Sequence, residues 1–203
     1  MANSGDVVDG RTARWAHRRD ELFTAAMEYV LDHGVADLTL RPLADGIGVT
    51  ITTLIRQFGS KDELVMAINR EIHDQLLADL REDPELAHAG PIEVLSKLWN
   101  RWLDPSKRRE YGLLFELYAL ALRAPLEYRW FLDSVVRDWL RPIEEALLAL
   151  GYTHDRARTT ATIVLALVRG LHLDLAATDD SERVNAAFEH AISLLTVGLR
   201  GAT

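Results

Sequence analysis

Residues 39–64 read TLRPLADGIGVTITTLIRQFGSKDEL, and this stretch decides the fold. It holds two short helical patterns separated by Gly46-Ile47-Gly48, and a third helical pattern begins near Ser60. A tight glycine-containing turn between two helices is typical of a helix-turn-helix, because the turn sets the helices at a steep angle. In that motif the second helix enters the DNA major groove while the first crosses the phosphate backbone. The stretch therefore predicts a DNA-binding element.

Capping signals mark the ends of these helices. Gly34 is a C-cap signal for the preceding helix, because glycine adopts the left-handed conformation without a Cβ clash. Thr39 is predicted to cap the next helix, with Pro42 in its first turn, where a missing N–H costs little. Thr50 is predicted to cap the helix after the turn. Residues 60–63, SKDE, have the Ser-x-x-Glu spacing of a capping box and predict a further helix start.

Several short motifs follow one another in a single register across this region. They are LFTAA at 22–26, Gly34, TLRPLA at 39–44, GVT at 48–50, Thr53-Leu54, Phe58 and SKDEL at 60–64. In this register, residues 17–65 resemble the N-terminal domain of TetR-family transcriptional regulators without a gap. The resemblance implies a homodimeric DNA-binding repressor that a small molecule releases from a palindromic operator.

Two positions depart from the family pattern. The family commonly has a tyrosine that contacts a phosphate after the equivalent of Leu54, and this chain has Ile55, which cannot form a hydrogen bond. The family often has a histidine before the equivalent of Phe58, and this chain has Gln57, which keeps a polar side chain there. Residues 51–55, ITTLI, are rich in β-branched side chains, which lowers their intrinsic helix propensity. The operator sequence and the affinity are therefore open.

Positions within the motif divide the predicted DNA contacts into two kinds. Phosphate contacts fix the position of a protein on DNA, and contacts with base edges select the sequence. Thr39 and Lys61 are expected to contact phosphate, and Ile51 or Ile55 is available to touch a thymine methyl group. The predicted base-edge contacts are Thr52, Thr53 and Gln57. The complete predicted DNA-binding set is Thr39, Arg41, Thr50, Ile51, Thr52, Thr53, Ile55, Gln57 and Lys61.

Composition is consistent with a cytoplasmic protein, and the TetR resemblance implies a prokaryotic one, but composition does not by itself suggest DNA binding. The chain has 203 residues, no cysteine and a formal net charge of −8. Residues 1–62 contain 7 Lys and Arg against 9 Asp and Glu, whereas a dedicated nucleic-acid-binding domain is usually basic. Phosphates respond to nearby cations rather than to carboxylates beyond a Debye length of about 8 Å. The nearby cations are Arg11, Arg14, Arg18, Arg19, Arg41, Arg56 and Lys61, and a solvated charged helix end is an alternative explanation for the first four.

The apolar periodicity predicts an all-α protein of about nine helices with two domains. Residues 1–10 are expected to be a flexible tail, 11–65 the helix-turn-helix domain, and 66–203 a helical effector-binding and dimerisation domain. No apolar run approaches the roughly 18 residues that suggest a membrane span. The helices predicted after the motif are Lys61 to about Leu80, one beginning at Pro91, Lys107–Arg123, Leu126 to about Leu150 with a kink at Pro142, 155–177 and 181–199.

The last two predicted helices carry more apolar surface than one face can hold. Such helices need partners on several sides, and a second subunit or the interior of the chain can supply them. The TetR resemblance implies the former, a four-helix interface made by residues 155–177 and 181–199 of each chain. The apolar residues are Ile163, Val164, Leu165, Leu167, Val168, Leu171, Leu173 and Leu175 in the first helix, and Ala186, Ala187, Ala191, Leu194, Leu195 and Leu199 in the second.

Aromatic residues concentrate between residues 99 and 139. Ligand cavities are mostly apolar and aromatic with a few polar groups, although aromatic residues at helical spacing also form ordinary cores. We expect this region to hold a small apolar or aromatic effector, with Tyr118, Arg123 or His172 as polar contacts. The predicted effector-cavity residues are Trp99, Trp102, Tyr111, Phe115, Tyr118, Trp130, Phe131 and His172.

Signals for catalysis, metal binding or a cofactor are weak. The chain has no Gly-x-Ser-x-Gly, no phosphate-binding glycine loop and no His-Glu-x-x-His, and its histidines have no i,i+3 or i,i+4 partners among themselves. We therefore expect neither an enzyme nor a cofactor. Three alternatives stay open: a helical small-molecule-binding protein or enzyme without DNA binding, an activator rather than a repressor, and a purely structural dimer.

Overall fold

The chain is described by a computed structural model that covers residues 5–84 and 89–200. Every long regular element in those residues is an α-helix, which confirms the all-α prediction. A short 3₁₀-helix, Pro105–Lys107, precedes α6. The helices are α1 Gly5–His33, α2 Leu40–Gly46, α3 Ile51–Phe58, α4 Lys61–Glu82, α5 Pro91–Trp102, α6 Arg108–Arg123, α7 Arg129–Val135, α8 Arg137–Ala149, α9 His154–Thr178 and α10 Ser181–Arg200.

The chain forms two compact units, Met1–Ile72 and His73–Thr203. The boundary lies within α4, a few residues after the boundary predicted at residue 65. Helix α1 begins at Gly5, so residues 5–10, which the sequence suggested as a tail, are helical, and residues 1–4 lie outside the described part.

The first unit is built around a small apolar core. Leu43 of α2, Leu54 of α3 and Leu64 of α4 are almost completely buried. Phe23 of α1 packs on Phe58 at the end of α3, with ring centroids 5.9 Å apart. Because each short helix contributes a buried side chain to this core, α2 and α3 are held in place although neither is long enough to be stable alone.

Two of the three predicted N-caps form hydrogen bonds. Ser60 and Glu63 make the reciprocal capping box: Ser60 N–H donates to Glu63 Oε2 at 2.7 Å, and Glu63 N–H donates to Ser60 Oγ at 3.2 Å. Thr53 N–H donates to Thr50 Oγ1 at 3.2 Å. Thr39 has the extended backbone of a cap residue, but its side chain makes no capping hydrogen bond. The predicted Thr39 side-chain cap is therefore wrong, and its exposed hydroxyl is left for another role.

The second unit has its core between α5, α9 and α10. Trp99 of α5 is fully buried and stacks on Phe188 of α10, with ring centroids 4.5 Å apart. Its indole N–H donates to Asn185 Oδ1 at 3.0 Å. Val164 and Val168 of α9 belong to the same buried apolar cluster as Trp99 and Phe188. The buried indole therefore has the hydrogen-bond partner that such a group needs.

The predicted long helix from Leu126 to Leu150 is two helices, α7 and α8. The chain turns through Ala124 and Tyr128 before α7 begins, and a break follows at Val136. The guanidinium of Arg169 on α9 donates to the Val135 carbonyl at this break, which compensates for an interrupted helical hydrogen bond. Pro142 lies inside α8, so the interruption falls earlier than the kink predicted at the proline.

Helix α9 is long and apolar. Among the described residues it alone has the length and mean hydropathy of a membrane span, and about a third of that stretch is buried within the chain. The sequence pattern had suggested no such segment. Charged Arg169 and Asp174 lie within the helix, and Val164 and Val168 pack in the core, as in a central helix of a folded domain.

Candidate nucleic-acid interface and effector cavity

The turn between α2 and α3 is closed by a pair of backbone hydrogen bonds. Val49 N–H donates to the Ala44 carbonyl at 2.9 Å, and Gly48 N–H donates to the Asp45 carbonyl at 3.3 Å. This pairing is the Schellman motif, which places a left-handed residue at the position after the C-cap. Gly48 occupies that position with φ of 73°. The local sequence therefore builds the sharp turn that a helix-turn-helix needs.

Gly46 is required for a different reason. A Cβ at Gly46 would overlap the aromatic ring of Tyr29 on α1. Tyr29 is itself held by stacking on His33, with ring centroids 3.9 Å apart. Glycine at this position therefore lets α2 approach α1 closely.

Helix α3 presents a mixed polar and apolar face to solvent. Leu54 is 1% exposed and points into the core, while Ile55 is 51% exposed. Thr52 and Arg56 are also exposed, and residues at i, i+3 and i+4 lie on one side of a helix. The outward side of α3 therefore combines a hydroxyl, a branched apolar side chain and a guanidinium, which are groups able to contact base edges and thymine methyl groups.

A cavity of about 300 Å³ lies within the second unit. Helices α5, α8 and α9 form most of its wall, and residues from α4 and α10 close it. The wall is nearly all apolar or aromatic. It consists of Leu77, Ala89, Pro91, Ile92, Val94, Leu95, Leu98, Trp102, Asp138, Trp139, Pro142, Ile143, Ala146, Leu147, Leu150, Tyr152, Thr160, Val164, Leu165, Val168, Ile192 and Leu195.

Beside the cavity lies a buried cluster of aromatic rings around His172. This histidine is 3% exposed and stacks on Tyr111, with ring centroids 3.9 Å apart. Its ring centroid lies 5.1 Å from that of Trp102 in a T-shaped arrangement. Burial lowers the pKa of His172 to about 4, against a smaller opposing effect of its hydrogen bond with the Val168 backbone. Burial, together with the charge of Glu110, raises the pKa of the Tyr111 hydroxyl. Both groups are therefore neutral near pH 7.

Comparison with known proteins bears directly on the first unit. Residues 22–68 match the model for bacterial regulatory proteins of the tetR family. Residues 22–68 of the chain are therefore similar to the DNA-binding domain of that family. This confirms the resemblance carried by the motifs between residues 17 and 65.

Two curated repressors are similar to this chain in sequence over part of their length. The HTH-type transcriptional repressor KstR2 of Mycolicibacterium smegmatis is 32% identical over 84 residues, which is 41% of this chain and 40% of the repressor. The protein of the same name from Mycobacterium tuberculosis is 34% identical over 82 residues, with 40% of each chain covered. The aligned part of this chain thus spans well under half the length of these repressors.

Two solved structures extend the similarity in fold to most of the chain. A transcriptional regulator from Rhodococcus sp. Rha1 has a TM-score of 0.73 at 23% identity, covering 89% of this chain and 96% of that one. A TetR-family member from Streptomyces coelicolor A3 has a TM-score of 0.63 at 26% identity, covering 85% and 96%. An N-terminal helix-turn-helix unit followed by a helical unit is therefore the fold of this chain.

The predicted DNA-binding residues fall into two groups in the TetR-type domain. Thr39, Arg41, Thr52 and Ile55 are exposed, whereas Ile51, Gln57 and Lys61 are half-buried. The Thr50 and Thr53 hydroxyls lie 2.9 Å apart and hydrogen-bond to each other within the α3 cap. Arg56 shares the exposed side of α3 but was absent from the predicted set. The sequence signal that could have identified Arg56 is its spacing of four residues from Thr52, which places both residues on one side of the helix.

The aromatic residues predicted to line an effector cavity mostly do not reach it. Of the eight, all within the described residues, Trp102 is in the cavity wall. Trp99, Tyr111 and His172 pack against one another or against Phe188 in the core. Tyr118, Trp130 and Phe131 form a separate cluster beside Arg169, and Phe115 lies on α6, which does not contribute to the wall. The cavity-wall residues that the prediction missed are chiefly aliphatic.

Proposed function

We propose that this TetR-family chain is a cytoplasmic, sequence-specific transcriptional repressor that binds a palindromic DNA operator. The observation that carries the proposal is the outward side of α3, where Thr52, Ile55 and Arg56 are all exposed to solvent. The Gly48 turn and the Thr50 cap hold this helix in place. Ile55 is 51% exposed, whereas its neighbour Leu54 is 1% exposed and belongs to the core of the first unit. A partner surface that presents methyl groups and hydrogen-bond acceptors, such as the DNA major groove, accounts for this combination.

Within this proposal the contacts divide by position. Thr52 and Arg56 read base edges, and Ile55 contacts a thymine methyl group in place of the phosphate contact that the family's tyrosine makes. Ile51 and Gln57 lie at the margins of the same surface. Thr39, Arg41 and Lys61 contact phosphates and position the domain. Thr50 and Thr53 act indirectly, since their hydroxyls stabilise the start of α3.

We infer that the repressor is a homodimer formed by α9 and α10. Ile163 and Leu173 of α9 are 52% and 55% exposed, and Leu194 of α10 is 60% exposed. On α9 the exposed residues Thr159, Ile163, Ala166, Gly170, Leu173 and Ala177 follow the 3–4 spacing of one helical stripe. Leu199 belongs to the predicted α10 face, and its side chain lies outside the described part. A twofold dimer would place two α3 helices about 34–36 Å apart, the spacing of successive major-groove turns.

A small apolar effector held in the cavity of the second unit would regulate the repressor. Helix α4 carries the chain from one unit into the other, so it is the element through which a ligand would act. A ligand shifts the equilibrium between a DNA-binding state and a state that does not bind DNA only if its affinities for those two states differ. A coupling of about 1–3 kcal/mol would weaken DNA binding by roughly 5–150-fold.

The test of the proposed function is binding to the DNA upstream of the chain's own gene. Fluorescence anisotropy should show tighter binding to that duplex than to a scrambled duplex of equal length. Arg56→Ala should reduce this preference, while Arg70→Ala, an exposed arginine on α4, should leave it unchanged. Equal affinity for both duplexes would instead favour a small-molecule-binding protein without DNA recognition.

A further inference from the structure

The described part of the cavity wall carries only negative charge. Among the described residues that form the wall, Asp138 is the single charged side chain, and no lysine, arginine or histidine joins it. The other polar side chains there are uncharged, for example Thr160 and Tyr152. A buried anion needs a cation or several hydrogen-bond donors to replace its lost hydration. This wall supplies no cation, and its one charge would repel an anion.

Asp138 lies where the cavity meets solvent. It is in the first turn of α8, its side chain is 44% exposed, and its Oδ1 lies 3.3 Å from Nε of Arg137. Arg137 is more exposed, at 69%, and does not belong to the wall. The ion pair is therefore directed to solvent, while the carboxylate keeps contact with the cavity. Charges at such half-exposed positions are screened only in part by water.

The cavity wall extends along α8. Asp138, Pro142 and Ala146 repeat at four-residue spacing in this helix, Leu150 follows as its C-cap, and all four residues belong to the wall. Helix α8 rises about 1.5 Å per residue, so this row extends over roughly 18 Å. A long, narrow apolar space fits an extended hydrocarbon better than a compact polar metabolite.

We propose that the cavity selects an elongated, hydrocarbon-rich ligand without an anionic group, and that Asp138 excludes carboxylates and phosphates from it. This inference rests on the proposed effector site and names the chemistry of its ligand. Trp102 and Trp139, which also line the cavity, would report the ligand through their fluorescence.

The test compares two probes that differ only in the head group, 1-decanol and decanoate, at pH 7.5. Titration calorimetry and tryptophan quenching on the protein without DNA should show decanol binding at least tenfold more tightly. Asp138→Asn should reduce this ratio threefold or more by strengthening decanoate binding. Asp133→Asn, which changes an exposed carboxylate outside the wall, should leave the ratio unchanged.

A cavity-filling variant shows where the probe binds. Ala146→Phe places an aromatic ring in the middle of the α8 row, so it should abolish decanol binding while the far-ultraviolet circular dichroism stays that of a folded helical protein. The inference is overturned if neither probe binds, if decanoate binds as tightly as decanol, if Asp138→Asn leaves the ratio unchanged, or if folded Ala146→Phe still binds decanol. None of these outcomes involves DNA, so each is separable from failure of the proposed repressor function.

Discussion

At the scale of single residues, Gly48 determines whether α2 and α3 can form a helix-turn-helix. Its φ of 73° is accessible to glycine at no cost, and a Cβ there would meet no neighbouring atom. Any penalty for a substitution therefore comes from the backbone conformation rather than from a steric clash. An L-residue pays on the order of 1 kcal/mol in this region, and asparagine pays less.

We expect Gly48→Ala to lower the free energy of unfolding of the first unit by about 1 kcal/mol, and Gly48→Asn to lower it by less. Urea unfolding followed by circular dichroism measures both. Gly112→Ala is the matched control, because Gly112 lies in the open middle of α6, where alanine should instead stabilise the helix. A Gly48→Ala variant as stable as wild type would show that the left-handed turn is not required.

His172 should make the second unit sensitive to acid. Its pKa is about 4 in the folded chain, against an ordinary value of 6.5, so between these values the unfolded chain binds a proton that the folded chain does not. Stability should therefore fall as pH decreases from about 6.5 to 4, by on the order of 1–2 kcal/mol between pH 7 and pH 5. The difference between urea midpoints at those two pH values should shrink in His172→Phe and persist in His154→Gln, where the histidine is exposed. An unchanged difference in His172→Phe would refute this role.

At the scale of helices, local signals and long-range packing differ in how well they could be predicted. The Ser60–Glu63 box, the Thr50 cap and the turn glycines involve neighbouring residues, so the sequence alone contains their geometry. At the break near Val136 the hydrogen bond to the Val135 carbonyl comes from Arg169, more than thirty residues later, and no local pattern indicates this contact. The aromatic residues between 99 and 139 were predicted to line a cavity, yet most pack in the core. Which side of a helix faces a void depends on how α5, α8 and α9 pack together.

The exposed stripe on α9 gives a prediction about assembly. Ile163→Glu combined with Leu173→Glu should convert the dimer to a monomer, because two carboxylates would be buried without partners in the proposed interface. Operator affinity should then fall by about 100-fold or more, since the second half-site would no longer bind within the same molecule. Sedimentation analysis and anisotropy measure the two effects.

The control for that variant is Leu122→Glu, which changes an exposed leucine on α6, 75% exposed and outside the stripe. It should leave both the assembly and the operator affinity unchanged. A double glutamate variant that stays dimeric would mean that another surface forms the dimer.

At the scale of the whole molecule, a net charge of −8 has to be reconciled with DNA binding. Of the cations predicted to lie near the DNA phosphates, Arg18, Arg19, Arg41 and Arg56 are exposed. The side chains of Arg11 and Arg14 lie outside the described part. A few local phosphate contacts suffice to attract DNA, because charges farther away than about 8 Å are screened at physiological salt. Because these local cations are few, specificity should depend strongly on the base contacts of α3.

The most direct test of this account is binding to the upstream duplex and to a scrambled duplex over a series of salt concentrations. The logarithm of each binding constant should fall linearly with the logarithm of salt concentration, as expected when phosphate contacts release counterions. The upstream duplex should bind more tightly at every salt concentration, and the preference should shrink when Thr52 and Arg56 are both changed to alanine. Affinities for the two duplexes that coincide throughout the series would contradict the central claim that α3 reads DNA sequence.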